Sequence, residues 1–120
     1  WLFFGAGPIE AAATNKALGF EVPKERRQMA GYGSLDDVVA TLEGALSEHD
    51  HIAGDQFSAA DVYVGSQVIW GMQFGTIPKR PVLEQYGQRL SARPAAKRAR
   101  EIDDGLSAAH PVQMPPRPSQ

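Results

Sequence analysis

Apolar residues recur along this chain at steps of three and four, and the strict alternation of a strand is almost absent. From Trp1 to about Gly19, Leu2, Ala6, Ile9, Ala13 and Ala17 draw one such stripe, which predicts a helix. Pro8 lies inside it. A proline there removes an amide donor and presses on the carbonyl one turn back, so a kink or break is expected near Phe4 to Gly7. Pro23 to about Met29 reads as a short proline-headed helix, ended by Gly31-Tyr32-Gly33. The next helix starts at a Ser34 cap with Asp37 at its third position, and carries Leu35, Val38, Val39, Leu42 and Leu46 on one face. His49-Asp50-His51 forms a polar exit, followed by Gly54 in a position suited to a left-handed turn.

The stretch from Ala59 to about Phe74 differs from the others. Val62, Tyr63, Val64, Val68, Ile69, Trp70, Met72 and Phe74 make it apolar almost all round, which predicts a buried centre that other helices surround. Gly65 and Gly71 weaken this helix but let neighbours approach closely. Pro81 opens a helix with Val82, Leu83, Tyr86 and Leu90 inward. Pro94 opens another, with Ala95, Ala99, Ile102 and Leu106 inward and Lys97, Arg98 and Arg100 outward. From His110 the composition collapses to proline and polar residues. The expected fold is all-α: a five- to six-helix bundle around a buried central helix, over residues 1–108, with a Pro-rich flexible tail at 109–120.

Composition narrows what such a bundle does. A chain of 120 residues with 42% hydrophobic side chains is enough for one packed core. The formal charge of −2 argues against a generic nucleic-acid partner. Charge is uneven, however: residues 1–60 hold nine acids and four bases, whereas 61–120 hold five acids and eight bases. The basic excess between Lys79 and Arg100 reads as a solvated helical face. The lack of Cys removes disulfides, thiolate metal sites and a thiol nucleophile together. No apolar run approaches the roughly 18 residues that span a bilayer, so no membrane partner is expected. Trp1-Leu2-Phe3-Phe4 has no Met and no basic segment before it, so this start is not expected to be a signal peptide and a piece of a longer chain is expected.

The most specific local motif is Phe57-Ser58-Ala59-Ala60-Asp61-Val62. Ser58 is placed to cap the helix while Asp61 reaches back to the Ser58 amide, which satisfies two orphan donors and sets a negative charge at the positive end of the dipole. Phe57 and Val62 stand at the positions of a hydrophobic staple. The motif follows Ile52-Ala53-Gly54-Asp55 and heads the most apolar helix. In this setting the sequence resembles the C-terminal helical domain of glutathione S-transferases, particularly the bacterial ones. Ala53-Gly54-Asp55-Gln56-Phe57-Ser58-Ala59-Ala60-Asp61 matches the family's Gly-Asp, apolar, Ser/Thr-x-Ala-Asp signature. Leu42-Glu43-Gly44-Ala45-Leu46 and Ala92-Arg93-Pro94-Ala95 match its flanking segments, and the likeness runs from residue 1 to about 106.

The resemblance implies a half-molecule. Family members join a thioredoxin-like domain, which binds glutathione and activates its thiol, to this helical half, which walls the electrophile pocket and makes much of a homodimer contact. Such a chain would hold no catalytic residue and no metal, would be inactive alone, and would act in a cytoplasmic detoxifying transferase. Its partners would be the thioredoxin-like domain, a second copy and a small electrophile, with glutathione as co-substrate. Matched residue by residue, Phe3, Phe4 and Glu10 occupy the first-helix pocket positions, Trp70 sits where bacterial relatives carry a pocket tryptophan, and Phe74 follows one turn on. Glu10 stands where beta-class members have His. Each residue also has a plainer reading: Trp70 as core, Phe3 and Phe4 as packing for an absent domain, Glu10 as a solvated helix residue. A non-catalytic interaction module of the same fold, of the kind appended to translation factors and aminoacyl-tRNA synthetases, is the alternative. Two partial glycine fingerprints, at Gly5 to Glu10 and Gly31 to Asp36, follow no strand and are set aside. His49 and His51 offer too few ligands for a metal, no Gly-x-Ser-x-Gly elbow exists, and Pro115-Pro116-Arg117-Pro118 fits a polyproline ligand by pattern alone.

Overall fold

The computed structural model describes residues 1–110, and the proline-rich tail from residue 111, with Pro115-Pro116-Arg117-Pro118, lies outside them. Six α-helices, a π-helical turn and a 3₁₀ segment account for the regular structure of the described residues, with one isolated bridge between His51 and Gly54. The chain divides into two compact units, Trp1–Leu90 and the segment that starts at Ser91.

The first helical stretch does not break at Pro8. Helix α1 (Leu2–Phe4) passes into a π-helical turn (Gly5–Ile9) and on into α2 (Glu10–Ala17), with helical dihedrals on both sides. The amide of Glu10 donates to the Gly5 carbonyl, five residues back. A widened turn takes in a residue that has no amide hydrogen, so the helix continues where an ordinary α ladder would be interrupted. The extra residue also shifts the register. Gly5, Ile9 and Ala12 are buried, whereas Leu2, Ala6 and Ala17 of the expected stripe are exposed. Gly5 is required at its place, because a Cβ there would meet the Tyr63 ring at 2.8 Å.

A 3₁₀ segment (Lys24–Met29) follows Pro23, and Gly31 and Gly33 both take positive φ before the Ser34 cap. In α3 (Leu35–Glu48) the Asp37 amide donates to Ser34 Oγ at 3.2 Å, and Val38, Val39, Leu42 and Leu46 are buried as the periodicity predicts.

Helix α4 (Ala59–Phe74) is buried along one stripe and not all round. Its inward residues are Ala60, Asp61, Val64, Gly65, Val68 and Gly71. Val62, Trp70 and Phe74 are 61%, 64% and 69% exposed. Close approach selects small residues for the inner face: a Cβ on Gly65 would collide with Leu90, and one on Gly71 would come within 2.6 Å of Ile77. The bulky side chains are left for the outer face.

Helix α5 (Pro81–Ser91) packs Leu83, Tyr86 and Leu90 into the same core, which also gathers Ile9, Leu42, Ile52 and Ile77. The described part of the second unit contains α6 (Pro94–Ala109), which has no buried residue. Ala95, Ala99, Ile102 and Leu106, expected inward, are exposed. Periodicity reports that an apolar face exists and not that a neighbour covers it. No helix among the described residues is long and apolar enough to cross a membrane.

Candidate functional site

Helix α4 carries a hydrogen-bonded node at its N-terminus and borders a groove along its C-terminal half. At the node, Ser58 and Asp61 form the reciprocal capping box, and Ser58 Oγ accepts from the Ala60 amide at 3.2 Å. Asp61 does more than cap. Its Oδ2 accepts from the Ser58 amide at 2.8 Å, while Oδ1 accepts from the Ile52 amide at 2.9 Å and the Tyr86 hydroxyl at 2.9 Å. One carboxylate thus ties the α3–α4 connection and α5 to the start of α4. It is 1% exposed. Burial pushes the Asp61 pKa up, but the Ile52 and Ser58 amides, the Tyr86 hydroxyl and the nearby His51 together outweigh it and hold the carboxyl below its ordinary value. Burial and the same carboxylate push the Tyr86 hydroxyl well above the usual tyrosine range. Of the two staple positions, Phe57 stands edge-on to His51 with ring centroids 6.0 Å apart, and Val62 is largely exposed.

The groove is open and measures about 220 Å³. One wall comes from Ile9, Glu10, Ala13 and Thr14, the other from Gln67, Trp70, Gly71 and Phe74, with Thr76 at the end. Spacing makes the walls. Glu10, Ala13 and Thr14 stand three and four apart on α2, while Gln67, Trp70 and Phe74 stand on one side of α4. Gly71 lets Ile77 pack close beneath, which fixes the end of α4 before Gly75 closes it with a φ of 77°. The Trp70 and Phe74 rings meet edge to face at 6.0 Å. Both rings are exposed there, which leaves aromatic surface outside the core.

The family model for the C-terminal domain of glutathione S-transferase matches residues 7–94. The chain belongs to this family. The match takes in both walls of the groove and the whole capping node. Neither the curated proteins nor the solved structures yield a match.

Within this glutathione S-transferase C-terminal domain, the groove brings together Glu10, Trp70 and Phe74. It does not include Phe3 or Phe4. Successive helical residues diverge by roughly 100°, and these two take different faces. Phe4 packs against the core with its ring edge-on to Trp1 at 5.3 Å, whereas Phe3 is 93% exposed. The plain core reading of Trp70 does not hold, since 64% of it is exposed. Sequence reasoning missed Thr14 and Gln67 as groove residues, although their spacing from Glu10 and Trp70 carries the signal. It also missed the long-range partners of Asp61, because Tyr86 lies 25 residues away with nothing local to mark it. His49 Nδ1 pairs with Asp55 Oδ1 at 2.9 Å. No group of three or more His, Asp or Glu among the described residues is placed to hold a metal ion.

Proposed function

We propose that this domain forms the electrophile pocket of a glutathione transferase, with the groove between α2 and α4 as its wall. The observation that carries this reading is the convergence of Trp70, Phe74 and Glu10 on one open groove whose other lining residues are uncharged. Apolar aromatic walls suit an aryl electrophile, which they take out of water and hold in place. A thioredoxin-like partner domain holds glutathione and lowers its thiol pKa; the thiolate then forms a carbon–sulfur bond as the leaving group departs with its electron pair. Exposed Phe3 supports a further contact, which this reading assigns to that partner domain. The assembled enzyme is a cytoplasmic homodimer that works in detoxification, and the 120-residue chain alone conjugates nothing.

The test uses Trp70 as reporter. In a Trp1→Phe background, binding of an apolar aryl probe such as 2-methoxynaphthalene changes the emission of the remaining tryptophan. Filling the groove with Ala13→Phe weakens that binding by about tenfold or more, while helicity by circular dichroism is kept. Equal binding to the filled variant would turn the reading toward the interaction module. Conjugation of an aryl halide by the chain alone would refute the division of labour between the two domains.

A further inference from the structure

We propose that the groove discriminates by charge: it takes neutral or cationic aromatic ligands that carry a hydrogen-bond donor and disfavours anionic ones, with Glu10 as the specificity-determining residue. This rests on the reading of the groove as the electrophile pocket. Three observations point the same way. Of the described residues that line the groove, Glu10 alone is ionisable, so the groove holds a carboxylate and no cation. The Trp70 and Phe74 rings line the groove and are exposed, and the face of an aromatic ring attracts a cation and repels an anion. Finally, the Gln67 amide oxygen is buried without a hydrogen-bond partner, so a ligand donor toward which the side chain turns gains a bond that the free chain lacks.

The one charge in the groove is negative, and its other polar groups, the Thr14 and Thr76 hydroxyls and the Gln67 amide, are neutral. A carboxylate or phosphate on the ligand would lose its water and meet no cation. An ammonium or a phenolic hydroxyl meets acceptors instead. Glu10 is exposed, so the selectivity is partly screened and falls as salt rises.

Three probes with one ring system and different charge test this: 2-naphthylmethylammonium, 2-naphthol and 2-naphthoate, titrated against Trp70 emission in the Trp1→Phe chain. At low ionic strength the ammonium binds about fivefold or more tighter than the carboxylate, with 2-naphthol between them. Glu10→Gln narrows that gap to under about twofold, and Glu10→Lys reverses its sign. Gln67→Leu weakens 2-naphthol more than 2-methoxynaphthalene, which lacks the donor. Equal affinity for all three charged states, unchanged by Glu10→Gln, overturns the inference and leaves the pocket standing. No binding of any naphthalene probe overturns the pocket itself and the inference with it.

Discussion

Replacing Asp61 by Ala strips the acceptor from four donors at once: the Ile52 amide, the Ser58 amide, the Tyr86 hydroxyl and the Ser58 hydroxyl, at 2.9, 2.8, 2.9 and 3.3 Å. A buried donor left without an acceptor costs about 1–3 kcal/mol. Ser58 is half-buried and regains water, so most of the loss comes from Ile52 and Tyr86, both buried. The variant also relieves the cost of burying a charge, which offsets part of the loss. The net destabilisation is about 3 kcal/mol, against a typical domain stability of about 5–15 kcal/mol. With a urea slope of about 1.5 kcal/mol/M, the unfolding midpoint falls by about 2 M. Circular dichroism at increasing urea measures this directly. Ser34→Ala in α3 is the control: it removes a cap that sits on the surface and costs only about 1 kcal/mol. If Asp61→Ala shifts the midpoint no further than Ser34→Ala, the node is an ordinary cap and its links to Ile52 and Tyr86 carry no weight. Asp61→Asn retains one acceptor oxygen and falls between the two.

Three further outcomes follow from the same geometry. Because the folded carboxyl of Asp61 lies below its unfolded value of about 3.9, its contribution is full above that pH and is lost as pH falls through the lowered folded value. Urea midpoints from pH 7 down to 3 therefore drop less in Asp61→Asn than in the parent. Tyr86→Phe removes one bond and leaves Asp61 its backbone donors, costing about 1 kcal/mol by the same unfolding measurement. Two glycines change stability in opposite directions: Gly65→Ala overpacks against Leu90 and costs about 1–3 kcal/mol, whereas Gly44→Ala, in a helix with open space before it, raises stability by up to about 1 kcal/mol. Thermal unfolding of the pair checks the signs.

Local chemistry was the legible part of this fold. The caps at Ser34 and Ser58, the buried face of α3 and the proline starts of α5 and α6 all depend on residues within a few positions of each other, which a sequence displays directly. Long-range choices were not. Pro8 forbids an ordinary helical bond but leaves open whether the chain breaks or widens into a π turn. The chain takes the π turn, with Gly5 packed against the Tyr63 ring. The register shift that results keeps Ile9 buried, as expected, but buries Gly5 and Ala12 in place of Leu2 and Ala6. The same distance limit hid Tyr86 from Asp61.

Helix α4 shows why an apolar sequence and a buried helix are different things. Summed hydrophobicity places all its sides inside, yet the interior accepts the residues that fit between close neighbours, and those are Ala60, Gly65, Val68 and Gly71. The aromatic residues that made the helix look like core are the ones left outside, with Trp70 and Phe74 above the groove. Exposed aromatic surface costs solvation and adds nothing to the folded monomer. Placed beside the lone carboxylate of Glu10, it is the surface on which the proposed pocket rests. The aromatic residues that line the groove on this helix are therefore those that hydrophobicity alone assigns to the wrong side, and the distinction comes from the size of their neighbours on the inner face.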